Sequence, residues 1–161
     1  MVGFVSAASL EDDSRFVSLL LMLALAVSVI WGLQMMPPNQ TFHDESFHFP
    51  QIRAYFLGQY AHLENSLTML PGYHFLVASL ADVIGKSSVS GARLASFLLS
   101  VPAVIFFFLI AQHLQHRSAL FSACLFYFSP IIFPFFYVIY TDIPSLSFVL
   151  AGVYFALKER F

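Results

Sequence analysis

FVSLLLMLALAVSVIWGLQMM, residues 16–36, is a run of 21 residues without one charged side chain. A helix needs about 20 mainly apolar residues to cross roughly 30 Å of hydrocarbon, so this run can cross a bilayer by itself. The residues before it, Glu11-Asp12-Asp13-Ser14-Arg15, are mainly acidic, and no small-residue cleavage site follows it. Both features are foreign to a removable secretory signal. Residues 16–36 are expected to form a retained first transmembrane helix.

The rest of the chain has the same character. Of its 161 residues 59 % are hydrophobic, 17 % aromatic and 10 % charged, against about 25 % charged in a soluble domain. That leaves too little polar surface to enclose a soluble core, and it excludes disordered, collagen-like and disulfide-rich classes as well. Seven Lys and Arg against nine Asp and Glu give a net charge of −2, which excludes an electrostatic nucleic-acid binder. The single cysteine, Cys124, can make no internal disulfide and sits in an apolar run, where it is expected to pack. The expected fold class is all-α integral membrane.

Four more apolar runs follow: Leu67–Ile84, Leu94–Ala111, Ala119–Ile139 and Ile143–Leu157. If all five runs cross, Arg15, Lys86 and Arg93 share one side while Arg53, Arg117, Lys158 and Arg160 share the other. If Leu67–Ile84 lies along the membrane surface, Arg15, Arg117, Lys158 and Arg160 gather on one side, four cations against three, and the positive-inside rule makes that side cytoplasmic. Asp44-Glu45 and Thr141-Asp142 then fall together on the outer side. Leu67–Ile84 also holds Pro71, Gly72, His74 and Asp82, costly features for a lipid-facing helix.

About four spans are therefore expected (five if Leu67–Ile84 crosses), at 16–36, 94–111, 119–139 and 143–157. The outer loop, 37–92, would carry short surface helices. Pro130 and Pro134 should kink or break the third span near its outer end. The fourth is only about 22 Å long, with Lys158 and Arg160 snorkelling at one end and Tyr140 anchoring the other.

The one long polar stretch, residues 37–66, begins at Pro37-Pro38, which ends the first span. It places His43, Asp44, Glu45 and His48 within six residues of one another. Two adjacent acids beside a membrane suit general-base work, because low dielectric nearby raises a carboxylate's pKa. A solvated polar loop with no chemistry is the plain alternative. Asp44-Glu45-x-x-His48 also approaches the zinc-hydrolase pattern His-Glu-x-x-His, which needs a helix to bring its ligands together. Pro50 disfavours helical geometry just after it, and no set of metal ligands is assigned. Pro50 is instead expected to open a helix over Gln51–Leu57 that ends at Gly58.

His113 and His116 are expected at the membrane interface, and His62 and His74 as loop or packing residues. Asp142 either caps the last span or, as an acid at a membrane boundary, faces a wet functional site. Asn39-Gln40-Thr41 has the form of a glycosylation sequon, but it lies too near the first span to be used.

Asp44-Glu45-x-Phe47-His48-x-Pro50-Gln51 resembles the first-loop motif of the dolichyl-phosphate-glucose α-1,2-glucosyltransferase family. The likeness continues through Tyr55, Gly58, Thr68, Pro71 and Gly72 to Tyr140-Thr141-Asp142, covering most of Phe42–Leu157. More broadly the chain resembles the first third of membrane glycosyltransferases that use polyprenyl-phosphate sugars. It departs from the pattern at Ile52, Phe56, Leu63-Glu64-Asn65 and Leu70, which bears on the sugar more than on the chemistry. Family members are much longer, so the resemblance implies the N-terminal transmembrane part of such an enzyme, completed by a C-terminal half or a partner subunit.

The resemblance implies an inverting transfer of glucose from dolichyl-phosphate glucose to a lipid-linked oligosaccharide in protein N-glycosylation. Catalysis falls to Asp44, preferred as the base, and Glu45; substrate contacts fall to His48, Gln51, Arg53, Tyr140 and Asp142. The implied partners are the polyprenyl-phosphate sugar, the lipid-linked glycan and membrane lipids. No cofactor is called for, since the sugar arrives on a lipid. The setting would be the endoplasmic reticulum membrane in a eukaryote, or the plasma membrane for a prokaryotic enzyme of envelope glycans. A non-catalytic membrane subunit is the reading from another class.

Overall fold

The computed structural model describes residues 7–67, 71–114 and 118–159. Thr68 and Leu70 of the resemblance, and His116, Arg117 and Arg160 of the charge argument, lie outside them. The order is α1 (Ala7–Met35), α2 (Glu45–Phe56), α3 (Gly72–Val83), α4 (Val89–Leu114), α5 (Ala119–Tyr127), a 3₁₀ turn (Phe133–Phe136) and α6 (Asp142–Lys158). There is no strand among the described residues. Val17–Met35 and Val89–Leu114 are each long and apolar enough to cross a membrane, and the chain is an all-α membrane protein.

α1 has 29 residues, about 43 Å, and starts well before residue 16, so that it takes in the acidic flank. It ends at Met35 because the residue before a proline avoids helical geometry and Pro37-Pro38 cannot donate. Leu19, Leu20, Val27, Ile30 and Met35 lie exposed across about half of its girth, as expected of a helix whose solvent is lipid. One stripe is covered. Leu25, Val29, Leu33 and Met36 pack against a cluster containing Phe97, Tyr127, Phe136 and Tyr137. Gly32 lies flat on the Tyr137 ring, so that a Cβ there would overlap it. The Tyr127 and Tyr137 hydroxyls bond each other, and they also bond Ser28 Oγ and the Ser28 carbonyl, at 3.2 and 3.1 Å.

The apolar run 119–139 is not one continuous helix. α5 stops after nine residues, and Pro130 and Pro134 keep the chain from resuming it, since each lacks an N–H and constrains the residue before it. The Ser129 carbonyl collects the Ile132 and Phe133 N–H groups at 2.9 and 2.8 Å, and the 3₁₀ turn follows. α6, with 17 residues, extends about 26 Å and packs along α4, with Ser147 Oγ donating to the Leu99 carbonyl at 3.0 Å.

α2 and α3 form a short hairpin on one end of the bundle. α3 has 12 residues, about 18 Å and far short of a 30 Å crossing. Their core joins Ile52 and Tyr55 to Val77, Ala78 and Ala81, and both to Val89, Ala92 and Ala95 of α4. Gly58 and Gly85, at φ 74° and 73°, end the two helices in the same way. Each following N–H reaches back to a carbonyl in the last turn (Gln59 to Ala54, Lys86 to Ala81, both 2.9 Å), a closure that needs a residue tolerant of left-handed geometry.

α2 starts six residues earlier than expected. Pro50 lies inside it rather than at its opening, at the loss of one backbone bond. The compensation comes at the other end of the helix, where the Glu45 side chain is held by tertiary partners.

Valine at Gly32 would overpack the α1–Tyr137 contact, and overpacking costs about 1–3 kcal/mol. Gly32→Val is expected to lower the unfolding temperature followed by fluorescence of Trp31, the only tryptophan in the chain. Glycine to valine at Gly152, where a Cβ meets nothing within 4 Å, should leave that temperature nearly unchanged.

Candidate functional site

The site grows from a tight turn, Phe42–Glu45, in which Glu45 N–H donates to the Phe42 carbonyl at 2.8 Å. His43 takes φ 35° inside it, a left-handed conformation that histidine adopts more readily than most residues. The turn sends two consecutive acids in different directions, since α2 advances about 100° per residue.

Glu45 points inward and is 1 % exposed. Its Oε1 accepts from Arg93 Nε and from the Ile139 N–H, both at 2.8 Å. Its Oε2 accepts from Arg93 Nη2 at 2.6 Å and from the Phe42 N–H at 2.8 Å. Burial by itself would raise the Glu45 pKa, but the Arg93 guanidinium and the two backbone donors outweigh it and hold the carboxyl below its usual range. Four donors occupy a carboxylate that offers about four lone-pair sites. Glu45, expected beside Asp44 as a catalytic acid, has all its acceptor sites occupied in this arrangement.

Asp44 points outward and is exposed. It borders a cavity of about 150 Å³ with Phe42, Phe135, Val138 and Tyr140. The Asp44 carboxylate beside the Tyr140 hydroxyl, then burial and the charge of Asp142, raises the Tyr140 pKa. The Tyr140 ring meets His48 edge-on at 6.1 Å between centroids. His48 is buried and shares one proton with a second histidine, Nδ1 to His74 Nε2 at 2.9 Å. Burial lowers the His48 pKa against the pull of the Asp44 and Asp142 carboxylates. Burial, then the neighbouring His48, lowers that of His74 to about 4, with a weaker opposing pull from the Pro71 carbonyl. Asp142 is exposed in the first turn of α6. Asp44, His48, Tyr140 and Asp142 are thus brought together.

Gln51 and Arg53 are not part of this group. Gln51 is wholly buried; it donates to the His62 carbonyl at 2.8 Å and accepts from the Glu64 N–H at 2.7 Å, pinning the loop after α2. Arg53 is exposed, and nine residues of helix set it about 180° around α2 from Asp44. Conversely, the sequence reading passed over Arg93, His74 and Tyr73. Arg93 carries the clearest signal, because an arginine opening a long apolar helix must find a partner. His74 and Tyr73, whose hydroxyl pairs with Ser96 Oγ at 2.8 Å, carry none beyond their place in an amphipathic helix. A second opening, about 520 Å³, lies between α3, α4 and α6, with Leu76, Leu99, Pro144 and Phe148 along it and Tyr73, Thr141 and Ser145 as its polar residues.

Breaking a buried ion pair from one side costs about 3–5 kcal/mol. Glu45→Gln should therefore sharply lower the thermal midpoint in detergent, while Asp44→Asn should stay within about 0.5 kcal/mol of wild type. Because the fold holds both histidines neutral, the unfolded chain binds more protons below their ordinary value of 6.5. Their stabilisation is complete above that pH and is lost as pH falls toward 4. The midpoint is expected to drop between pH 7 and 5, and His74→Asn to flatten that slope.

With this geometry in hand, comparison with known proteins gives a consistent answer. Residues 38–161 match the DIE2/ALG10 family. A protein of Arabidopsis thaliana named Dol-P-Glc:Glc(2)Man(9)GlcNAc(2)-PP-Dol alpha-1,2-glucosyltransferase is 30 % identical over 166 residues, covering 85 % of this chain and 32 % of that protein. A protein of the same name from Yarrowia lipolytica is 27 % identical over 126 residues, covering 73 % of this chain and 24 % of that one. No solved structure matches. The chain spans about a third or less of the length of these relatives. Since the matched segment runs from Pro38 past Lys158 and takes in the whole Asp44–His48–Tyr140–Asp142 group, the chain belongs to the DIE2/ALG10 family.

Proposed function

We propose that this chain is the N-terminal part of an endoplasmic-reticulum glucosyltransferase acting in protein N-glycosylation. It would move glucose from dolichyl-phosphate glucose to the lipid-linked oligosaccharide, with Asp44 as general base. The observation that carries this reading is the division of labour between neighbouring acids. Glu45 is saturated by four donors, whereas Asp44 stands exposed at the mouth of a cavity that it shares with Tyr140.

In the reaction, an acceptor hydroxyl gives its proton to Asp44 as its oxygen bonds to the anomeric carbon of the donor. The bond from that carbon to the phosphate oxygen breaks, and dolichyl phosphate leaves with its electron pair. Attack from the face opposite the leaving group inverts the centre. A well-placed base contributes about 10²–10⁴-fold to such a step, and orientation of the reactants contributes further. Tyr140 fixes the Asp44 carboxylate, and Asp142 orients acceptor hydroxyls from the other side of His48. His48, neutral and tied to His74, is a hydrogen-bond partner rather than a competing charge. The apolar opening between α3, α4 and α6 is the natural place for the start of the polyprenyl chain, next to lipid. Arg53 faces away from Asp44, so the phosphate charge is met by residues other than Arg53.

The test joins this chain to the C-terminal remainder of the Arabidopsis relative in membranes that lack their own terminal glucosyltransferase. These membranes receive dolichyl-phosphate glucose and the lipid-linked acceptor. Mass spectrometry should find one added hexose with Asp44 present and a loss of at least about 10²-fold with Asp44→Asn. Transfer within tenfold of wild type in that variant would remove Asp44 from the mechanism.

A further inference from the structure

A third opening lies at the far end of α2, and nothing described so far uses it. It encloses about 270 Å³, just under the roughly 300–1,000 Å³ of a site for a drug-sized ligand, which suits a single ring. Three aromatic side chains build it. Tyr60 lies over Tyr55 with centroids 6.1 Å apart and planes 23° apart, and Phe75 meets the two edge-on at 6.3 and 6.0 Å. Tyr55 is buried and serves as a wall, but Tyr60 is 66 % and Phe75 47 % exposed. Ser79 and Asp82 complete the rim.

The sequence around this opening is spent on holding it in shape. Gly58 turns the chain back at the end of α2. The buried Gln51 amide then clamps the returning loop at His62 and Glu64, which sets Tyr60 over Tyr55. On α3, Phe75, Ser79 and Asp82 recur at spacings of four and three and form one stripe. Leu76, Leu80 and Val83 form the neighbouring stripe, and Leu76 borders the apolar opening toward α4 and α6. A carboxylate in the first stripe keeps that side out of hydrocarbon, so the aromatic opening faces water on the same side as Asp44.

We infer that this opening is a second sugar-binding subsite, which takes one pyranose ring of the glycan acceptor away from the reacting hydroxyl. The inference rests on the glucosyltransferase reading above. Exposed, pre-stacked aromatic rings offer an apolar face with a polar edge, which matches the C–H face of a pyranose. Asp82 and Ser79 lie where ring hydroxyls would need acceptors and donors. Distance fits as well: Tyr55 is eleven residues beyond Asp44, about 16 Å along α2, so the ring held here is several sugars back along the branch. The relatives' acceptor, as their name spells it, is Glc(2)Man(9)GlcNAc(2) on a lipid. A glycan of that size extends well beyond a cavity of about 150 Å³ at Asp44.

The test is binding, independent of turnover. Saturation-transfer NMR of the purified chain, in a detergent without a sugar headgroup, uses the free Glc(2)Man(9)GlcNAc(2) glycan as probe. Wild type should bind it. Tyr60→Ala and Asp82→Asn should each weaken binding about fivefold or more, and Tyr60→Phe should keep it. In the joined enzyme, Tyr60→Ala should raise KM for the lipid-linked glycan and leave kcat, whereas Asp44→Asn loses kcat. Wild-type binding that Tyr60→Ala and Asp82→Asn leave within twofold overturns the subsite and spares the base assignment. No binding by wild type up to millimolar glycan overturns the subsite, while the transfer assay with Asp44→Asn decides the glucosyltransferase reading separately.

Discussion

A buried ion pair between Glu45 and Arg93 organises this end of the molecule. Arg93 gives two of its three remaining donors to the Pro37 and Gln40 carbonyls, at 2.5 and 2.6 Å, and its guanidinium lies over the Phe42 ring. Three stretches far apart in sequence therefore converge on this pair: residues 37–45 between the first helix and α2, the first turns of α4, and Ile139 before α6. Desolvating two charges is expensive, and such a pair holds only where every lone pair and proton is satisfied. That condition is met at Glu45, and the two-pronged contact also fixes direction, as a fork onto a carboxylate does. The pair is thus less a source of net stability than a device that decides which way the loop faces.

The placement of everything chemical follows from that decision. With Glu45 drawn inward, the residue before it must point outward, and residues three and four further along α2 return to the inner side. The buried face of α2 runs on through His48, Gln51, Ile52 and Tyr55 at helical spacing, and Arg53 lies off it. His48 then finds a neutral partner in His74, so the interior beside Asp44 carries no fixed positive charge from these rings at neutral pH. Tyr140 and Asp142 approach from the α6 side because Ile139, just before them, is anchored on Glu45. One carboxylate thereby sets the distance between the two halves of the site.

The sequence was most informative where a single force dominates. Charge-free length placed the first apolar helix, and the prolines at Pro130 and Pro134 announced that 119–139 would not run straight. The Pro, Gly, His and Asp content of Leu67–Ile84 argued against a span, and α3 within it is 12 residues long, short of a crossing. The start of α2 was misread because Pro50 is a local signal, whereas the helix is stabilised by Glu45 contacting residues 48 and 94 positions away, which no local rule detects. For the same reason Asp44 and Glu45 looked equivalent. Adjacent acids differ only in direction, and direction is set by Arg93. Gln51 fitted a substrate contact as well as a loop clamp until its two backbone partners, eleven and thirteen residues away, were in view.

α3 ties these features into one surface. Its inner stripe, His74, Val77, Ala78 and Ala81, is buried, which leaves two outer flanks of opposite character. One flank is apolar and borders the opening between α4 and α6; the other carries Phe75, Ser79 and Asp82 beside the aromatic loop. Its N-terminal turn holds His74 against His48. A substrate that is lipid at one end and sugar at the other needs a boundary with those two flanks and the reacting groups near where they meet. A transmembrane helix cannot supply it, because a full crossing exposes its whole girth to hydrocarbon or to protein. A short helix lying along the interface can, and α3, with 12 residues, has the length for that position.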